Sequence, residues 1–263
     1  IWNAKNSDID TSGISIVPLG GRHVNHFWRL LNDLNIPYIT LLDLDKERLG
    51  GGWGRIKYVL EQLIQNGYDK NKLLQTDTGV LSDTVFSEMH DWDVNASETL
   101  QGWINYMEKY NVFFSTPLDI DFLMLEYYGD IYKSLLGEKE GPRLMITENG
   151  QKYQKYIRDI ENTEEPYLEY CARIADDVRH ALKEYGGDGK TYTEEQKKLM
   201  VWYTYFFLNR GKPSTHIEAF SQISNEILVS TMPPVFKRLI AAAEKALKEK
   251  PDEDCCTRKV DTV

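Results

Sequence analysis

The stretch Pro37-Tyr38-Ile39-Thr40-Leu41-Leu42-Asp43-Leu44-Asp45 sets the fold class. Its apolar run, Tyr38 to Leu42, is too short for a helix, is introduced by proline and is stopped by two aspartates, which predicts a strand. Upstream, the β-branched run Gly13 to Pro18 ends at Gly20-Gly21, and Phe27, Leu30, Leu31 and Leu34 then recur at helical spacing. This predicts strand, glycine turn and helix. Downstream, residues 50–54 (GGGWG) make a loop, and Ile56, Val59, Leu60, Leu63 and Ile64 form one helical face closed by Asn66-Gly67. An order of β-α-β-α implies an α/β fold with a parallel sheet flanked by helices.

Further along, Leu73 to Trp92 is irregular and reads as loop with a short strand. Asn95 followed by Glu98 matches a capping pattern for a helix running to about Tyr110. Val112 to Ser115 is strand-like and leads into Pro117-Leu118-Asp119-Ile120-Asp121, after which Phe122 to Tyr128 starts a helix. Beyond about Gly137 the chain turns to long, charged, helical segments: Pro166 to Tyr185, Thr193 to about Asn209, His216 to Ile227 and Pro234 to Lys248.

Composition bounds the function. The 263 residues carry 41 acidic and 31 basic side chains, a net charge of −10, which argues against holding nucleic acid through a generally basic surface. Cys171, Cys255 and Cys256 give neither a zinc spacing nor a disulfide framework, so a reducing, cytoplasmic setting is expected. No apolar run approaches the roughly 18 residues of a membrane span, and no secretory signal is visible. A chain that starts at Ile1 is expected to lack residues upstream.

Asp43 and Asp45 follow a strand, at the edge where open α/β sheets place ligands. At positions i and i+2 of a strand both carboxylates point the same way, and a divalent cation such as Mg²⁺ is the usual way to hold such a pair. Asp119 and Asp121 repeat the arrangement after the second strand, so parallel pairing brings four carboxylates to one edge. A plainer role for Asp119 or Asp121 is to cap the helix that follows. Glu126 lies close enough downstream to reach that edge, though a solvated glutamate is the simpler reading. Lys212, in the turn Arg210-Gly211-Lys212-Pro213, suits a phosphate oxygen, with His216 as a further phosphate contact or proton carrier. Gly20 and Gly21, followed by Arg22, offer a backbone anion site.

Taken in order, the segments GISIVPLGG, ITLLDLD, PLDIDFLMLE and NRGKPSTHIEAF resemble the C-terminal TOPRIM nuclease region of the OLD (overcoming lysogenization defect) family of ATP-dependent endonucleases, over about Gly13 to Ile223. The resemblance implies a Rossmann-like, four-stranded parallel core with helical insertions, over residues 13–135, completed by a helical part over 136–250; residues 251–263 lack periodicity and are expected to be a disordered tail. It implies Asp43, Asp45 and Lys212 as catalytic residues. Asp43, Asp45, Asp119 and Asp121 would be ligands of two Mg²⁺ or Mn²⁺ ions that cut DNA. Lys212 would neutralise charge on the phosphate. It further implies an antiviral defence role, a homodimer or higher oligomer, and ATP used only through an N-terminal ATPase region of the same or a companion polypeptide. That ATPase is not in this chain, which has no G-x-x-x-x-G-K-[ST] run.

One departure stands out: nothing before Gly13 matches the glutamate of the family's first strand, so it lies upstream or is lost. Two other functions fit the same residues. A phosphohydrolase would use Asp43 as a covalent nucleophile. A degenerate, non-catalytic TOPRIM module would serve assembly or partner binding.

Overall fold

The computed structural model describes residues 1–5, 8–19, 24–163, 167–209 and 212–248. In chain order the elements are α1 (Trp2–Lys5), α2 (Val24–Asp33), β1 (Thr40–Asp43), α3 (Trp53–Gln65), α4 (Lys70–Leu73), β2 (Gln75–Thr76), β3 (Gly79–Val80), α5 (Asp83–Ser87) and a 3₁₀ turn at Met89–Asp91. There follow α6 (Ser97–Glu108), β4 (Val112–Ser115), α7 (Ile120–Ser134), β5 (Arg143–Glu148), β6 (Gln151–Tyr156), α8 (Ile157–Glu161) and α9 (Leu168–Leu182). The chain continues through α10 (Glu194–Tyr203), a π-helical turn (Thr204–Leu208), α11 (Lys212–Gln222), α12 (Asn225–Ser230) and α13 (Pro234–Lys248).

β1 and β4 pair in parallel, with Thr40 opposite Val112 and Asp43 opposite Ser115. Strand alternation divides the core between the two faces of this pair. Val112 and Phe114 point into a cluster built on Trp28, Trp53, Ile56 and Leu60 from α2 and α3. Phe113 points into the other cluster, with Phe122, Tyr132, Trp202 and Tyr203 from α7 and α10. Both faces are covered, which is why β4 is buried at all four positions and reads as an unbroken apolar run. Trp28 also donates its indole N–H to the buried Thr40 hydroxyl at 2.9 Å, pinning α2 to the start of β1.

The sheet departs from expectation at its first predicted strand. Gly13 to Pro18 forms no ladder, and Ile16 and Val17 are exposed, so a β-branched run without a neighbouring edge stays irregular. Among the described residues the parallel sheet therefore has two strands, not four. α6 is capped by Ala96 without a side-chain bond, because Asn95 turns its amide to Asp93 instead. The predicted helix from His216 to Ile227 is two helices, broken before Ser224, which caps α12 through its hydroxyl.

The expected all-helical second half contains an antiparallel hairpin, β5–β6. Asn149 and Gly150 both have positive φ, at 51° and 78°, which a two-residue hairpin turn of the twist-compatible kind needs and Asn-Gly supplies cheaply. The Thr193 capping box forms as the sequence predicts, with Gln196 answering it. No helix among the described residues is long and apolar enough to cross a membrane.

Candidate functional site

The carboxyl end of the β1–β4 pair carries the acids, but the backbone gives each a different setting. Asp43 is the last residue of β1 and is exposed. Its Oδ1 accepts from the Ser115 hydroxyl at 2.9 Å and from the Ile120 N–H at 3.1 Å. Its Oδ2 meets no donor among the described residues. Protein packed around the carboxyl, then the negative charge of Asp119, push its pKa above the ordinary carboxylate value, with Asp45 adding to the effect.

Asp45 lies beyond the strand, in a left-handed turn at φ 52°. It is buried, and two arginines hold it: Arg48 Nη1 reaches Oδ1 at 2.6 Å and Arg55 Nη2 reaches Oδ2 at 2.5 Å. Arg48 is the hub. The same Nη1 donates to Asp119 Oδ2 at 3.0 Å, Nη2 donates to the Tyr203 hydroxyl at 2.9 Å, and Nε donates to the Ala181 carbonyl at 3.0 Å. Burial works against the Arg48 charge, but Tyr203 and Asp119 outweigh it and push its pKa up.

Asp119 is the N-cap of α7, accepting the Phe122 N–H at 2.9 Å through Oδ1, while Oδ2 takes the Tyr203 hydroxyl at 2.6 Å as well as Arg48. Burial, then the Asp119 charge, raise the Tyr203 pKa, so the phenol stays protonated and donates. Asp121 is inside α7 and buried; His216 Nε2 sits 3.0 Å from its Oδ1. His216 Nδ1 is 2.8 Å from the Tyr132 hydroxyl, and its ring stacks on Phe207 at 4.9 Å. His216 therefore meets the acid edge by orienting Asp121.

α11 begins at Lys212, one helical turn before His216, so the two positions lie on one face of that helix. The Lys212 side chain lies outside the described residues, as do Gly20, Gly21 and Arg22. Glu126 is drawn to Gln196, which donates to it at 2.9 Å, and helps to line a cavity of about 640 Å³ with Leu44, Lys46, Thr116, Pro117 and Arg238. None of the four aspartates lines that cavity.

The donor chemistry can be tested against a divalent cation. Asp43 fits: it is a hard oxygen donor whose Oδ2 meets no donor among the described residues, and a bound cation would offset the burial and the Asp119 charge that raise its pKa. Asp45 and Asp119 do not fit as they stand, because guanidinium groups and a phenol already engage their oxygens. Accordingly, no group of three or more His, Cys, Asp or Glu among the described residues is arranged to hold a metal ion.

Sequence reading overlooked Arg48, Arg55, Glu47 and Tyr203. The arginines lie three and ten residues after Asp45, a spacing that does not by itself reveal the pairing. Glu47, at φ 63°, accepts the backbone N–H groups of Gly189 and Thr191, each at 2.7 Å, and so pins the turn after Asp45 to the loop before α10. Gly51 closes the same turn: a Cβ there would sit 1.8 Å from the Asp45 carbonyl oxygen, so only glycine allows the approach. Tyr203, 84 residues from Asp119, left no local trace.

Among known proteins, residues 1–45 match the family model described as "Overcoming lysogenization defect protein-like, TOPRIM domain". No curated protein and no solved structure matches the chain. TOPRIM domains are typically nucleases or primases and generally bind divalent metals. The match ends on Asp45, the second acid of the first pair, and is a likeness to the OLD-like TOPRIM domain over 45 of the 263 residues, with which the parallel β1–β4 pair flanked by helices is consistent.

Proposed function

We propose that this chain is the nuclease part of an antiviral, ATP-dependent endonuclease, and that it hydrolyses DNA phosphodiesters with Mg²⁺ or Mn²⁺. The observation that carries this reading is Asp43: an open carboxylate at the carboxyl end of a parallel strand, its pKa raised by its surroundings and by Asp119. A bound divalent cation supplies Lewis acidity toward a phosphate oxygen and a more acidic water. Asp43 would hold that cation, since Mg²⁺ is commonly held through one or two protein carboxylates. Asp45 and Asp119, engaged by Arg48, Arg55 and Tyr203, would not be free to hold a second metal in this arrangement. Asp121 is oriented by His216. Lys212, at the start of α11, neutralises the phosphate as charge develops. The ATPase belongs to a separate region or companion polypeptide, and the assembly is a dimer or higher oligomer.

The second reading, a non-catalytic TOPRIM module, is favoured by one observation: Asp45 is held by two arginines and no cation is needed to neutralise it. Plasmid nicking by the full-length polypeptide with Mg²⁺ or Mn²⁺ decides between them. Asp43→Ala and Lys212→Ala are expected to slow nicking by about 100-fold or more, the usual cost of losing a group that stabilises transition-state charge. Equal nicking by wild type and both variants overturns the nuclease reading. A wild type that stays silent with its ATPase region restored leaves the binding module.

A further inference from the structure

We propose that the β5–β6 hairpin is a nucleic-acid-gripping arm, separate from the acid edge. Residues 139–158 contain five basic and two acidic side chains in a chain whose net charge is −10. Local sign is therefore opposite to the whole. None of those five cations meets a carboxylate within ion-pair distance among the described residues, whereas Lys5, Lys70 and Arg238 elsewhere on the surface each do.

Register fixes which side chains share a face. Arg143 pairs with Tyr156, Met145 with Gln154 and Thr147 with Lys152, so these six stand on one side of the ribbon. The opposite side carries Ile146, which is fully buried and packs the hairpin onto the core. The first face is thus the outward one: Arg143, Thr147, Lys152 and Gln154 are exposed, and Met145 is half exposed.

Tyr156 is flanked by two guanidinium groups, Arg143 at 4.8 Å and Arg158 at 5.0 Å from its ring centroid. Arg143 Nη2 is steadied by the Lys139 carbonyl at 2.9 Å, and Arg158 donates to the Glu138 carbonyl. Stacking and carbonyl contacts fix the direction of both cations without cancelling their charge. Basic groups interleaved with an aromatic ring suit phosphates and base faces, and a two-stranded ribbon has the width to enter a duplex major groove. The charge and geometry stand alone, while the choice of DNA over another polyanion rests on the nuclease reading.

The test is fluorescence anisotropy of a labelled duplex of about 20 base pairs with the full chain in EDTA, so that no cleavage intervenes, over about 50 to 200 mM salt. Lys152→Glu, at an exposed position of the ribbon, is expected to weaken binding about threefold to tenfold. Arg143→Ala/Lys152→Ala/Arg158→Ala is expected to weaken it tenfold or more and to reduce the slope of log affinity against log salt by about 2 to 3. Lys183→Ala/Lys190→Ala, which like Lys152→Glu lowers the net charge by two, serves as the control and should bind as wild type. The inference is overturned if Lys152→Glu and the triple variant bind as wild type, if the control weakens equally, if wild type does not bind DNA at all, or if vesicles of anionic lipid, and not DNA, lose affinity. Nicking with Mn²⁺ is scored separately. Ribbon-dependent binding with no nicking would sink the nuclease reading and keep the arm; nicking with ribbon-independent binding would do the reverse.

Discussion

The two D-x-D pairs have one spacing and two backbones. Asp43 ends a strand and Asp45 turns into a left-handed bend; Asp119 caps a helix from an extended conformation and Asp121 is already inside it. Alternation along a strand, which would aim residues i and i+2 the same way, applies to neither pair. Among the described residues Asp43 keeps one oxygen without a donor, while Asp45, Asp119 and Asp121 are engaged, Asp119 in part as the helix cap that the sequence suggests. A motif's chemistry is thus set by the element beneath it as much as by its letters. Here the first pair leaves one carboxylate oxygen without a donor among the described residues, and the second serves the fold.

That contrast breaks most severely at Arg48. Arg48→Ala leaves Asp45 and Asp119 buried and short of their shared cation, and a loss of about 3–5 kcal/mol is expected from urea unfolding. Arg48→Lys should recover little, since an ammonium cannot reach two carboxylates, a phenol and a carbonyl at once. An unchanged midpoint for Arg48→Ala would mean that the acids do not need it. Tyr203→Phe comes next: it removes the hydroxyl that donates to Asp119 and accepts from Arg48, at an expected cost of about 1–2 kcal/mol in the same measurement.

Arg55→Ala sharpens the comparison with the smallest change in stability, under about 1 kcal/mol, because its side chain is 33% exposed. It frees Asp45 Oδ2, so calorimetric titration should show tighter Mn²⁺ binding than wild type. Weaker or equal binding would remove Asp45 from the set of acids that Asp43 can recruit.

Much of the frame was legible. The β1 and β4 runs, α3, α9 and the Thr193 capping box declare themselves through length, periodicity and local side-chain bonds, the interactions that short windows contain. The Gly13 to Pro18 run misleads because strand propensity is realised only beside an edge, and among the described residues no strand pairs with it. The β5–β6 hairpin was readable in principle from Asn149-Gly150 between two alternating runs. At the site, sequence order found the aspartates but not their occupancy. Arg48 reaches Ala181 and Tyr203 across 133 and 155 residues, and such pairings are created by packing alone.

The turn after Asp45 bears on how this molecule can change. Surface loops ordinarily absorb insertions and deletions at little cost. Between Leu44 and Gly52 there is no slack to spend: Arg48 N–H bonds to the Asp45 carbonyl, Gly51 N–H to that of Arg48, and Gly52 N–H to that of Leu44. Gly51 touches the Asp45 carbonyl too closely for any side chain, and Glu47 ties the outer edge to the loop before α10. Lengthening this turn by one residue would rotate Arg48 away from both acids together. Variation in chain length is therefore barred at the acid end of the sheet and must accumulate elsewhere in the fold.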